Sequence, residues 1–196
     1  MIFEIYSDGS TRNNGRADAV GAWAYVVLNE GKKIYEELTG RGLKIQAVLL
    51  THGHFDHIGA VKALKDAYQI PVYCSKEEDE QILRKLGGNL SSMFGNPMTL
   101  QADEFVRDGE KLEMIGTTLT CLATPGHTIG GMCYYVEELA SVIAGDTLFA
   151  GSVGRTDFPT GSFSQLIRSI KEKLFVLPDD VQCTMMSGAV LTTMPA

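Results

Sequence analysis

This chain has no apolar run approaching the ~20 residues that a bilayer span requires, so no membrane segment is expected. Its opening, Met1-Ile2-Phe3-Glu4-Ile5-Tyr6, lacks the basic and apolar regions of a signal peptide, and a cytoplasmic location follows as the expectation. Positive charge is in deficit. Seventeen Lys and Arg stand against 24 Asp and Glu, giving a net charge of −7 and a pI near 5.1. That balance argues against a non-specific polyanion binder, whose affinity rests on basic patches, so no nucleic-acid partner is expected. Cysteine is sparse and wrongly spaced for a thiolate site. Cys74, Cys121, Cys133 and Cys183 form no C-x-x-C motif and sit mostly in strand-like surroundings, which favours free thiols in a reducing compartment over disulfides or zinc ligands. What remains, 196 residues of 44% hydrophobic content, suits one compact domain with a sizeable core.

Histidine is also scarce, yet three of the four fall between residues 52 and 57, in Thr51-His52-Gly53-His54-Phe55-Asp56-His57. The segment before, 45–50, is an apolar run of strand formers. The segment after spaces Ile58, Val61, Leu64 and Tyr68 at helical intervals, with Lys62, Lys65 and Asp66 on the other side. The cluster therefore occupies a turn from a strand end into a helix. On such a turn residues two apart point the same way, so His52 and His54 can share one metal while Asp56 and His57 face a second. Imidazole suits zinc and iron, and the added carboxylate fits a catalytic site better than a closed structural one.

Further along, 71–74 reads as a strand. Ser75 caps a helix running to about residue 86, with the charge run Glu77-Glu78-Asp79 as a solvated face. Residues 89–98 show no period and suit either a flap over a site or apolar packing of Met93 and Phe94. Asp108-Gly109 is a hairpin signal and Gly116 marks another turn. The strand 118–123 ends in Thr124-Pro125-Gly126-His127, a ligand-type residue just past a strand, as in the first cluster. Strands at 132–136 and 141–144 follow, the second delivering Gly145-Asp146-Thr147, where Asp146 can bridge two metals. Ser162 or Ser164 then caps a helix with Leu166, Ile167, Ile170 and Leu174 on one face, closed by Pro178.

The H-x-H-x-D-H pattern, His127 and Asp146 resemble the metallo-β-lactamase superfamily, and the resemblance covers residues 41–188. It implies an α+β fold, a four-layer αββα sandwich. His52, His54 and His127 would hold one metal; Asp56, His57 and bridging Asp146 would hold another, with Asp56 also the candidate catalytic residue. Zinc is the expected cofactor, as one or two ions, with iron the alternative. The stretch Gly151-Ser152-Val153-Gly154-Arg155-Thr156-Asp157-Phe158-Pro159 looks like the glyoxalase II branch and its persulfide dioxygenase relatives rather than the antibiotic-hydrolysing lactamases. Arg155 and Asp157 are expected to form an ion pair that shapes this loop. The resemblance implies hydrolysis of a small-molecule thioester, glutathione-linked as in S-lactoylglutathione, by a metal-bound hydroxide. Two alternatives stand beside it: a mononuclear iron persulfide dioxygenase, and an engineered or recombined chimera with little native activity.

Both ends depart from that family. Residues 1–40 read as three strands, 2–6, 21–28 and 33–38. Ile5-Tyr6-Ser7-Asp8-Gly9-Ser10 followed by Gly21-Ala22-Trp23-Ala24-Tyr25 resembles the opening of a ribonuclease H domain, where Asp8 would match a magnesium-binding aspartate. One carboxylate cannot make a two-metal clamp, so Asp8 reads as an Asx-type turn residue. The expectation is a single metallo-β-lactamase-like domain over 1–196 that incorporates this segment as a substituted N-terminal β-meander. Near the other end, Ser187 or Gly188 stands where the family's last histidine ligand belongs, and neither is a ligand.

Overall fold

The computed structural model describes residues 43–184 apart from Phe94, Asn96 and Ile115, together with 190–195, with backbone alone at 43–45, 184 and 190–195. The β-meander and Asp8 at the N-terminus, and the Ser187-Gly188 turn, lie outside the described residues.

The apolar run before the histidines forms strand β1 (Leu43–Leu49), and the period of two along it decides the architecture. Val48 and Leu50 point to one side, where Ile58 of helix α1 (Phe55–Ile58) and Val61 and Leu64 of helix α2 (Val61–Tyr68) cover them. Ala47 and Leu49 point to the other side, against a second sheet. β1 pairs in parallel with β2 (Val72–Ser75), β2 in parallel with β3 (Glu104–Val106), and the C-terminal strand Val190–Pro195 lies antiparallel on the free side of β1. Helix α3 (Lys76–Glu78) leaves β2 and widens into a π-type turn over Asp79–Leu83.

The second sheet is largely a meander: β4 (Lys111–Met114), β5 (Thr117–Ala123), β6 (Met132–Val136) and β7 (Ser141–Ile143) are antiparallel neighbours, and Gln182–Thr184 adds in parallel to β7. Leu119, Cys121, Tyr134 and Ile143 face the first sheet; Cys133, Val142 and Ala144 face outward, beneath Leu166 and Ile170. Leu166 belongs to helix α4 (Phe163–Ser169), which continues through a π-type turn carrying Ile170 and Leu174. β8 (Leu148–Phe149) and β9 (Ser152–Val153) form a small ribbon between β7 and α4. Helix, sheet, sheet, helix is the αββα order expected. No helix among the described residues is long and apolar enough to cross a membrane.

Two local readings are corrected. Asp108-Gly109 does not close a hairpin, because β3 and β4 on either side belong to different sheets. Gly109 takes a left-handed φ of 75° there, and its amide donates to the Cys121 carbonyl, so the turn carries the chain across the sandwich. Of the charge run after Ser75, only Glu77 is solvated. Glu78 and Asp79 are fully buried. Asp79 accepts the Ala102 amide and pairs with Arg84. In the irregular stretch Asn89, Leu90 and Ser91 are buried and Met93 is exposed, so Met93 does not pack.

Tyr134 ties the sheets at one end. Fully buried on β6, it donates its hydroxyl proton to the Leu50 carbonyl at 2.8 Å, just past β1. Tyr134→Phe should cost about 1–2 kcal/mol, because it strands a buried carbonyl without adding a cavity. Urea unfolding should show a lower midpoint at unchanged slope; an unchanged midpoint would mean the hydroxyl restrains nothing.

Candidate metal centre

β1 ends at Leu49, and Thr51 begins the turn that carries the histidines. The turn is pinned from the opposite sheet: the Met132 amide donates to the Thr51 carbonyl at 2.8 Å, next to the Tyr134 bond. Residues His52 and His54 project from this turn, His57 from α1, His127 from the loop after β5 and Asp146 from the loop after β7. All four histidines are buried.

Two sets of side chains each bring their ligand atoms within 4.8 Å of one another: His52, His54 and His127, and His52, His57 and Asp146. Five of the six expected ligands therefore converge. Asp56 belongs to neither set; its carboxylate lies 4.0 Å from His57 Nε2 and its side chain is 39% exposed. Successive residues of a helix point about 100° apart, so α1 aims His57 inward and leaves Asp56 on the rim. His52 joins both sets instead of one.

The donor chemistry fits a divalent cation. His127 Nδ1 lies 2.7 Å from the Arg155 carbonyl, so that nitrogen carries the proton and Nε2 presents a lone pair. His127 Nε2 lies 3.0 Å from His54 Nδ1 and 3.6 Å from Asp146 Oδ2, and Asp146 Oδ1 lies 3.4 Å from His57 Nε2. His52 Nε2 and His54 Nε2 are buried without a hydrogen-bond partner among the described residues. Leaving such groups unpaired costs about 1–3 kcal/mol each, a penalty an ion can relieve.

Burial, and then the neighbouring imidazoles, hold His52 well below its usual pKa. Burial and His127 bring His54 down to about 3. His127 is also lowered, burial outweighing the opposing pull of Asp146 and the Arg155 carbonyl. Burial alone would raise Asp146, but the hydrogen bond and charge of His57, with His127, carry it below the ordinary carboxylate value. With His52, His54 and His127 neutral, this first set forms a cation site that need not shed protons first.

At the rim, Phe158 sets its ring edge-on to His54 at 5.7 Å, and the Arg155 guanidinium lies 3.8 Å from the Phe158 ring centre. Arg155 also holds Asp157 through two contacts of 2.7 Å, the expected ion pair.

The sequence reading missed Glu78. Its Oε1 accepts the Gly53 amide at 2.7 Å, while Oε2 accepts the Thr128 hydroxyl at 2.7 Å and the Gly130 amide at 3.1 Å. Burial raises it to about 7 against the lowering by those three hydrogen bonds. A signal was present: Ser75-x-x-Glu78 is capping-box spacing, and the Ser75 hydroxyl does accept the Glu78 amide at 3.1 Å. The glutamate then turns away from the helix end, which spacing alone does not reveal.

The chain matches the model of the metallo-beta-lactamase superfamily over residues 18–185, starting within the segment whose opening resembles ribonuclease H. It is 38% identical over 151 residues to the probable metallo-hydrolase YqgX of Bacillus subtilis, spanning 76% of this chain and 72% of that one. It is 36% identical over 155 residues to the hydroxyacylglutathione hydrolase GloC of Haemophilus influenzae, spanning 78% and 73%. Among solved structures, the BLEG-1 B3 metallo-beta-lactamase superposes with a TM-score of 0.70 at 33% identity, over 96% of this chain and 86% of that one. TTHA1623 in a di-iron-bound form superposes with a TM-score of 0.69 at 31% identity, over 82% and 79%. Sequence and architecture agree, and the chain belongs to the metallo-β-lactamase superfamily.

Proposed function

We propose that this protein is a metallo-hydrolase of the glyoxalase II type that cleaves a small thioester such as S-lactoylglutathione. The observation that carries the reading is the convergence of four buried imidazoles and one ionised carboxylate at the ends of strands, beside a rim that includes Arg155 and Phe158. The 36% identity to a hydroxyacylglutathione hydrolase supports the thioester over other substrates.

In this reading His52, His54 and His127 hold one divalent ion, and His57 and Asp146, with Asp56 at the rim, hold a second. A bound ion supplies Lewis acidity, polarising a carbonyl and lowering the pKa of water toward ~7. The protein's part is positional. The Arg155 carbonyl fixes the His127 tautomer, Asp146 keeps its charge between His57 and His127, and Asp56, partly exposed beside His57, would take up the proton from water. No side-chain nucleophile is required. The departing thiolate has a conjugate-acid pKa near ~8.5, so no strong general acid is needed either.

A second reading has its own observation. His52, His57 and Asp146 make a two-histidine, one-carboxylate set, the donor composition of mononuclear non-haem iron oxygenases. The similarity to a protein solved with two irons keeps iron in view. An iron persulfide dioxygenase would consume oxygen in proportion to persulfide. Protein purified without added metal, analysed for zinc and iron and assayed with both substrates, separates the two.

For the thioester reading, His127→Ala should lower turnover by about 10²-fold or more, because it removes a ligand from the set that organises the site. Activity unchanged in that variant would remove His127 from the centre. A competition titration should find the set of His52, His54 and His127 filling at lower free metal than its neighbour, which relies on two partly exposed carboxylates. Two equally tight sites would contradict this assignment.

A further inference from the structure

Among the described residues, the buried carboxylate of Glu78 forms no ion pair, yet it joins the two loops that bring most of the histidines. One oxygen holds the Gly53 amide, between His52 and His54. The other holds the Thr128 hydroxyl and the Gly130 amide, immediately after His127. These loops leave different sheets, β1 in one and β5 in the other. Backbone hydrogen bonding between the sheets at this end is confined to the Met132 amide on the Thr51 carbonyl, among the contacts described.

The clamp is specific in construction. Ser75 fixes the helix end that carries Glu78 by accepting its amide at 3.1 Å, and donates its own hydroxyl to the Gly130 carbonyl at 2.7 Å. Both amide donors come from glycines, and at each the missing side chain is what lets the helix approach. A Cβ on Gly53 would stand 2.5 Å from Leu83 Cδ2, and one on Gly130 would run into the Glu78 backbone. Three donors converge on two carboxylate oxygens, a pattern that the ionised form satisfies and an amide cannot fully reproduce.

We propose that Glu78 is a positioning residue that locks the His52–His54 turn to the His127 loop, holding the first ligand set in its binding geometry before an ion arrives. Stability alone does not require this arrangement. A buried charge without a cation is expensive, and an apolar residue would fill the space more cheaply. What the carboxylate provides is a fixed separation between two otherwise independent loops, which lowers the ordering cost of binding an ion.

The inference rests on the reading that these histidines hold a metal, and the test keeps the two apart. Wild type, Glu78→Gln, Glu78→Asp and Thr128→Val are stripped with chelator, and each is titrated with Co2+ and with Zn2+ against a competing chelator. Far-UV circular dichroism and metal-free thermal midpoints are recorded alongside. Glu78→Gln should weaken the tighter site about 10–100-fold, the range for partners one step removed from a metal, and alter the visible Co2+ spectrum while the metal-free fold persists. Glu78→Asp, with the charge but not the reach, should fail to restore affinity. Thr128→Val should weaken binding less, and its effect should not add fully to that of Glu78→Gln, because both act through one clamp. Should Glu78→Gln fail to fold, Thr128→Val carries the test alone through its affinity and Co2+ spectrum. Wild-type affinity and spectrum in whichever of these variants folds would overturn the inference. Wild-type protein that takes up neither metal would overturn the metal reading itself.

Discussion

Everything at the candidate metal site depends on the face-to-face packing of the two sheets. Ala47 and Leu49 on β1 bury against Leu119, Cys121, Tyr134 and Ile143 of the opposite sheet. At about 25 cal/mol per Å² of apolar surface removed from water, such a contact is the main force that can hold two sheets in one register. It fixes where β1 and β5 end, and so where the turns bearing His52 and His127 begin. The polar contacts at that end, Tyr134 to Leu50, Met132 to Thr51 and Glu78 to both loops, refine a separation that the core has already set.

The site itself works against folding economy. Four imidazoles and a carboxylate meet where an ordinary core would place aliphatic side chains, and His52 and His54 each keep a buried nitrogen without a partner among the described residues. Burial drives His52, His54 and His127 to their neutral forms, which lessens charge repulsion within the cluster and leaves lone pairs free. Departures from good local packing of this kind mark functional sites, because the compensation comes from a ligand. Glu78 extends the pattern outward, a charge kept in the interior to hold loops that apolar packing could not aim.

Several features were legible in the chain because they rest on local chemistry. The apolar run before His52, the helical spacing of Ile58, Val61 and Leu64, and the strands around Cys121, Tyr134 and Val142 follow from periodicity, which burial obeys here. The crowding of three histidines into one turn marked a candidate ligand cluster, and His127 and Asp146, placed alike at strand ends, converge with it. The Asp108-Gly109 turn was visible as a turn, but whether it joins neighbours or crosses between sheets depends on which strands pair, and that is not local information.

The sequence by itself therefore determined most of the strands and helices from residue 45 onward and which residues have cation-ligating chemistry, while the layer order came through the family resemblance. Only the tertiary structure decided how those residues divide. It gave His52 to both ligand sets, left Asp56 at the rim because α1 turns its successive side chains apart, and drew Glu78 from an apparently solvated charge run into the centre. For His52 and Glu78 the reason is the same. A side chain's type is written in the chain, whereas its distance from a residue 25 or 50 positions away, as Glu78 is from Gly53 and Thr128, exists only once two sheets have packed.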